Sequence, residues 1–141
     1  MENKEVKAQK KPEEFNFELE SSKKVICDFQ AVIYKLLPNS VSSDIFAMAL
    51  HEIIANAAEH GNQMNKEKKV IISLKISSTE LSAEVTDQGQ GFDWKKMLEK
   101  DFNINGEGER GRGIMMTARG CDHFYYNEQG NRAYLMKKID F

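Results

Sequence analysis

Glu52, Asn56 and His60 stand at i, i+4 and i+8 in the segment Glu52-Ile-Ile-Ala-Asn56-Ala-Ala-Glu-His60-Gly61. On a helix this spacing sets a carboxylate, an amide and an imidazole in one file along a single edge. Such a file can hold a metal ion and orient a nucleophile. A second segment, Asp87-Gln-Gly89-Gln-Gly91-Phe92, puts an acid at the end of an apparent strand and follows it with two glycines. Glycine lets backbone approach a flat ligand with no Cβ in the way, and a purine fits that description. A third, Gly111-Arg112-Gly113, opens an apparent helix. One G-x-G means little by itself, but the three segments in this order point to a nucleotide site.

These residues need elements to position them. Phe15-Asn-Phe17-Glu-Leu19-Glu alternates apolar and polar, which predicts a half-buried strand. Ser21 or Ser22 caps a helix with Val25, Ile26, Phe29, Val32, Ile33 and Leu36 at helical spacing, ending before Pro38. A second capped start at Ser42-Ser43-Asp44 opens the helix of Glu52 and Asn56. Its core stripe is Phe46, Leu50, Ile53 and Ala57, and Gly61 is its stop. At ~100° per residue, Asn56 and Glu52 border that stripe rather than face open water.

Val70–Ile76 and Leu81–Thr86 read as an antiparallel strand pair joined by a polar turn at Ser77–Glu80. Asp93–Lys100 predicts a short helix, and the polar, glycine-bearing Asp101–Arg112 predicts a mobile loop. Ile114–Arg119 predicts another short helix, cut off by Gly120. His123–Tyr126 and Arg132–Met136 flank a turn and predict a closing hairpin. Helices and strands do not alternate regularly, so the expected fold is a two-layer α+β sandwich.

At 141 residues the chain has room for one domain with one core. The expected organisation is a flexible charged tail over 1–14 and a single domain over 15–141. A net charge of -2, with dispersed basic residues, does not favour direct nucleic-acid binding. Two distant cysteines, Cys27 and Cys121, argue against a disulfide scaffold and a zinc ribbon, and fit reduced thiols in a cytoplasmic protein. The start carries no apolar secretory segment, and no run approaches the ~20 apolar residues of a membrane span.

The order Glu-x-x-x-Asn-x-x-x-His-Gly, then Asp-x-Gly-x-Gly-Phe, then Gly-x-Gly resembles the Bergerat-fold (GHKL, histidine kinase-like) ATPases. His60-Gly61-Asn62, Gly91-Phe92-Asp93, Gly111-Arg-Gly-Ile-Met-Met, Cys121-Asp122 and the Tyr-Asn-Glu-Gln-Gly-Asn turn resemble the bacterial anti-sigma factor serine/threonine kinases within that superfamily. The likeness runs from about Phe15 to the end of the chain.

What the resemblance implies is a mixed, mostly antiparallel sheet covered on one face by helices, with ATP and Mg²⁺ as cofactors. By the same resemblance Glu52 is the catalytic base and Asn56 binds both the nucleotide and the Mg²⁺. Asp87 accepts the adenine amino group, and Gly89 and Gly91 let the chain pass the base. Gly111, Arg112 and Gly113 meet the phosphates, with the loop before them as an ATP lid. Arg110 and Arg112 read equally as phosphate contacts or as solvated lid residues. The implied function is phosphorylation of a small anti-anti-sigma (STAS) protein, with sequestration of a sigma factor and a homodimeric state. A nucleotide-gated binding module without phosphotransferase activity is the alternative, and a stand-alone ATPase ranks last.

Overall fold

A computed structural model describes residues 11–99 and 109–139 of the chain. The element order is β1 (Glu13–Glu20), α1 (Lys23–Leu36), α2 (Val41–Asn56), a π-helical turn (Ala57–Gly61), β2 (Lys69–Ile76), β3 (Glu80–Thr86), α3 (Trp94–Glu99), α4 (Glu109–Gly120), β4 (His123–Tyr126) and β5 (Arg132–Lys138). The strands form a five-stranded sheet in the order β1-β2-β3-β5-β4. Every neighbouring pair is antiparallel, so the expected mixed sheet is antiparallel throughout the described residues. The fold is α+β, as expected.

Alternation in the strands decides which face the helices cover. Val70, Ile72, Leu74, Leu81, Ala83, Val85, Ala133 and Leu135 are buried, and they share one face because cross-strand partners such as Ile72↔Val85 and Ala83↔Leu135 point the same way. The opposite face shows Ile71, Lys75, Glu84 and Tyr125 to solvent. Helix α1 packs on β1, where Phe29 meets Phe17 edge-to-face with ring centroids 4.8 Å apart.

α2 is the central helix, touching α1, α4 and the sheet. Phe46, Leu50, Ile53 and Ile54 on it are essentially sealed from solvent. Each such side chain contributes about 1.5–3 kcal/mol of burial free energy, so this helix is a rigid base for whatever it displays. Ser40, rather than Ser42 or Ser43, is its N-cap, its hydroxyl accepting the Ser43 N–H. Ser42 and Ser43 are themselves buried one turn in.

Two boundaries differ from expectation. Glu13 and Glu14, expected in the tail, begin β1 because they pair with Ile76 and Lys75; residues 1–10 lie outside the described residues. Of the expected loop Asp101–Arg112, residues 101–108 also lie outside them, whereas Glu109–Arg112 form the first turn of α4. Packing explains this second difference. Ile114 and Thr117 are fully buried, and the Thr117 hydroxyl lies 3.0 Å from the Gly113 carbonyl and 3.5 Å from Ala49 O on α2, so tertiary contact outweighs the poor helix propensity of Gly-Arg-Gly. Gly120 does end α4, and it has a contact of its own: a Cβ there falls 3.2 Å from Ile45 on α2.

Candidate functional site

Two residues of the predicted file face α4. Asn56 is buried and Glu52 half-buried near the end of α2, and a Cβ built on Gly113 falls 3.0 Å from Glu52 Oε1 and 3.7 Å from Asn56 Nδ2. The carboxylate, the amide and the start of α4 therefore converge. Gly111 and Arg112 sit in the first turn of α4, whose leading N–H groups have no partner within the helix and carry its positive dipole end. The glycine segment thus lies inside the helix start rather than ahead of it.

The Asn56 amide nitrogen is buried and has no hydrogen-bond partner among the described residues. Leaving such a group unpaired costs about 1–3 kcal/mol, which points to a ligand atom as its partner. A half-turn of the amide would place its oxygen there instead, an acceptor able to ligate a cation. No group of three or more His, Cys, Asp or Glu side chains among the described residues could hold a metal by itself. A cation that takes most of its ligands from phosphates and water fits such a donor set.

His60, the third member of the file, falls in the π turn and leaves the Glu52–Asn56 edge. It lines an open cleft of about 250 Å³ together with Gly61, Gln63, Lys68, Asp87, Gln88, Gly89, Gln90, Gly91 and Gly130. Asp87 joins this cleft to Asn56, because both residues also line a small internal void with Ile53, Ala57, Val85, Tyr126 and Ala133. Asp87 is buried, and its Oδ1 accepts the Gly89 N–H at 2.8 Å. The structure thus brings Glu52, Asn56, Asp87, Gly89, Gly91 and Gly113 into one continuous region at the helix side of the sheet.

The glycines serve the protein's own backbone as much as any ligand. A Cβ on Gly61 would fall 2.3 Å from Asp87 Cγ, so the carboxylate lies directly on Gly61. Gly61 is therefore needed for that contact, and it does not adopt the left-handed cap conformation. At Gly89 a Cβ would meet the Gly61 carbonyl at 2.1 Å. Gly91 takes φ 86°, and its Cβ position lies 1.9 Å from the Gln129 carbonyl.

The turn between β4 and β5 backs the cleft, which sequence reasoning missed. Phe92 N–H donates to Gln129 O at 3.1 Å, Asp87 N–H to Asn131 O at 2.9 Å, and Trp94 Nε1–H to Asn127 O at 3.1 Å. Asn127 Oδ1 in turn accepts the N–H groups of Gly130, Asn131 and Arg132. Gly130, with φ 88°, comes against the Phe92 backbone. The one local clue was the Asn-Glu-Gln-Gly-Asn turn itself.

An acid lining a polar cleft, an orphaned amide and a helix start facing a carboxylate lie together, an arrangement able to take a flat, donor-bearing base with an anionic tail. The fold is that of a nucleotide-binding α+β sandwich. The chain matches the histidine kinase-like ATPase domain over residues 15–137 and belongs to that family, which makes it an ATP-binding domain. No curated protein matches it. No helix among the described residues is long and apolar enough to cross a membrane.

Proposed function

We propose that the chain is an ATP:protein phosphotransferase that phosphorylates a serine or threonine of a small anti-anti-sigma (STAS) partner and sequesters a sigma factor, acting in the cytoplasm. The observation that carries the reading is the convergence of Glu52, Asn56 and Gly113. Phosphoryl transfer asks the protein mainly for positioning and charge stabilisation, and these groups can supply both.

Glu52 accepts the proton of the substrate hydroxyl as its oxygen attacks the γ-phosphorus; the bond to the ADP oxygen breaks, and ADP leaves. Asp87 accepts the adenine amino group. The first turn of α4, with Gly111 and Arg112, offers N–H groups to the phosphates, and Gly113 after it leaves room for Glu52 beside them. Asn56 would hold Mg²⁺ together with the phosphates, and the ion would neutralise charge on the transferring group. A homodimer belongs to the same reading. It would use the outer side of edge strand β1 and of α1, where Val32 and Tyr34 are exposed.

The test is incubation with γ-labelled ATP, Mg²⁺ and candidate STAS proteins. Label on a serine or threonine of the partner is the expected result. Partner binding that depends on ATP or ADP, with no label transferred, would replace the kinase with a nucleotide-gated binding module. Phosphate release with no acceptor present would leave a stand-alone ATPase.

A further inference from the structure

Asn62 is 1% exposed, directly after the residue on which the Asp87 carboxylate rests. Its Oδ1 accepts the Gln88 N–H at 2.7 Å, and its Nδ2 donates to Ser21 Oγ at 2.9 Å and to Lys69 O at 3.0 Å. The amide's orientation is fixed by its neighbours. A backbone N–H needs an acceptor and a backbone carbonyl needs a donor, so exchanging oxygen and nitrogen would set like groups against each other at both ends.

The network continues on both sides. Ser21, fully buried at the β1–α1 corner, donates to Lys68 O at 2.6 Å. Lys69 N–H donates to Gln88 Oε1 at 2.5 Å, which closes a ring of Asn62, Gln88 and Lys69. The chain gives up backbone comfort to make this turn: Gln63 and Met64, next in sequence, both take left-handed φ, 54° and 55°. Non-glycine residues hold that conformation in succession only where their surroundings fix it.

We infer that Asn62 is a positioning residue for the nucleotide, pinning the Asp87–Gly91 loop through the Gln88 N–H and so setting where the Asp87 carboxylate stands for the base. The inference deepens the nucleotide reading and rests on it. Asp87 is held on one side by its N–H bond to Asn131 O, and on the other through Gln88 by Asn62. Gly61, against which the carboxylate lies, is covalently joined to Asn62. Moving Asn62 therefore moves the acid's support and its neighbour together.

The experiment is calorimetric titration of the full chain with ATP and with GTP, for wild type, Asn62→Ala, Asn62→Asp and Ser21→Ala, with thermal unfolding and hydrogen exchange at the Gln88 amide. For Asn62→Ala the expected result is ATP affinity lowered about tenfold or more, within the range supporting residues behind a binding site command. Its ATP-over-GTP preference narrows, and Gln88 loses exchange protection. Asn62→Asp keeps the acceptor for Gln88 and recovers part of the affinity. Ser21→Ala gives a smaller loss of the same kind.

Unchanged ATP affinity and preference in folded Asn62→Ala, with only a lower melting temperature, would overturn the inference and leave the nucleotide site intact. A wild type that binds neither nucleotide would overturn both readings. If Asn62→Ala does not fold, Asn62→Asp and Ser21→Ala decide: affinity that fails to follow Gln88 protection across these two overturns the inference.

Discussion

Gly113 and Glu52 meet across α4 and α2, with the Cβ position of Gly113 3.0 Å from Glu52 Oε1. A methyl group at 113 would press on the free end of a flexible side chain, which can swing aside. Alanine also suits a helix interior better than glycine by about 1 kcal/mol. Gly113→Ala should therefore keep or raise stability in urea unfolding, while displacing the carboxylate and slowing phosphate transfer by roughly 10- to 100-fold. A variant as fast as wild type would show that the carboxylate's position does not matter.

Glu52→Ala separates binding from chemistry. Its side chain is half-buried at the edge of the core, so its removal leaves the anchoring of α2 by Phe46, Leu50, Ile53 and Ile54 in place. Nucleotide affinity should stay near wild type. Single-turnover transfer to the acceptor protein should fall by on the order of 10² to 10⁴, the usual contribution of a positioned general base.

The Asp87 loop tolerates little at its glycines. Gly91→Ala combines a φ of 86° with a Cβ 1.9 Å from the Gln129 carbonyl, a backbone atom that cannot swing away. The expected loss is at least about 1–3 kcal/mol in denaturant unfolding. Gly61→Ala should act differently, pushing aside the Asp87 carboxylate, so that ATP affinity falls more than stability does. Equal affinity in Gly61→Ala and wild type would mean that the acid is not held by this contact.

Alkaline pH should weaken the fold through Cys121. Burial pushes its thiol up from 9.0 to about 11, so the unfolded chain loses this proton first as pH rises. The associated stability is fully present below pH 9.0 and is lost progressively as the pH climbs to about 11. Tyr134, raised in the same direction chiefly by desolvation, adds to the trend. Cys121→Ala should flatten the pH dependence of the unfolding midpoint over that range. In thiol titration at neutral pH, exposed Cys27 should react quickly and buried Cys121 slowly.

Local pattern placed the strands and the central helix, because alternation in Val70–Ile76 and the stripe through Phe46, Leu50 and Ile53 are short-range consequences of one buried face. It also brought Glu52 and Asn56 to the edge of that face. What it could not supply were reasons that arise from distant parts of the chain. Gly91 is constrained by Gln129, Gly61 by Asp87, and Asn62 by Ser21 and Gln88, and none of these pairs is close in sequence. The π turn at Ala57–Gly61 is indistinguishable in sequence from an ordinary helix end, since nothing in Ala-Ala-Glu-His-Gly separates the two. α4 starts earlier than local pattern predicts, because Gly-Arg-Gly disfavours helix locally while Ile114 and Thr117 are fixed on α2 by packing.

Whether one nucleotide site spans Asn56 and Asp87 is tested most directly by calorimetric titration with ATP and Mg²⁺ of wild type, Asn56→Ala and Asp87→Ala. Saturable binding by wild type is expected, with affinity lost or sharply reduced in both variants while circular dichroism shows each one folded. Folded wild type that takes up no heat with ATP, or variants that bind as tightly as wild type, would contradict it.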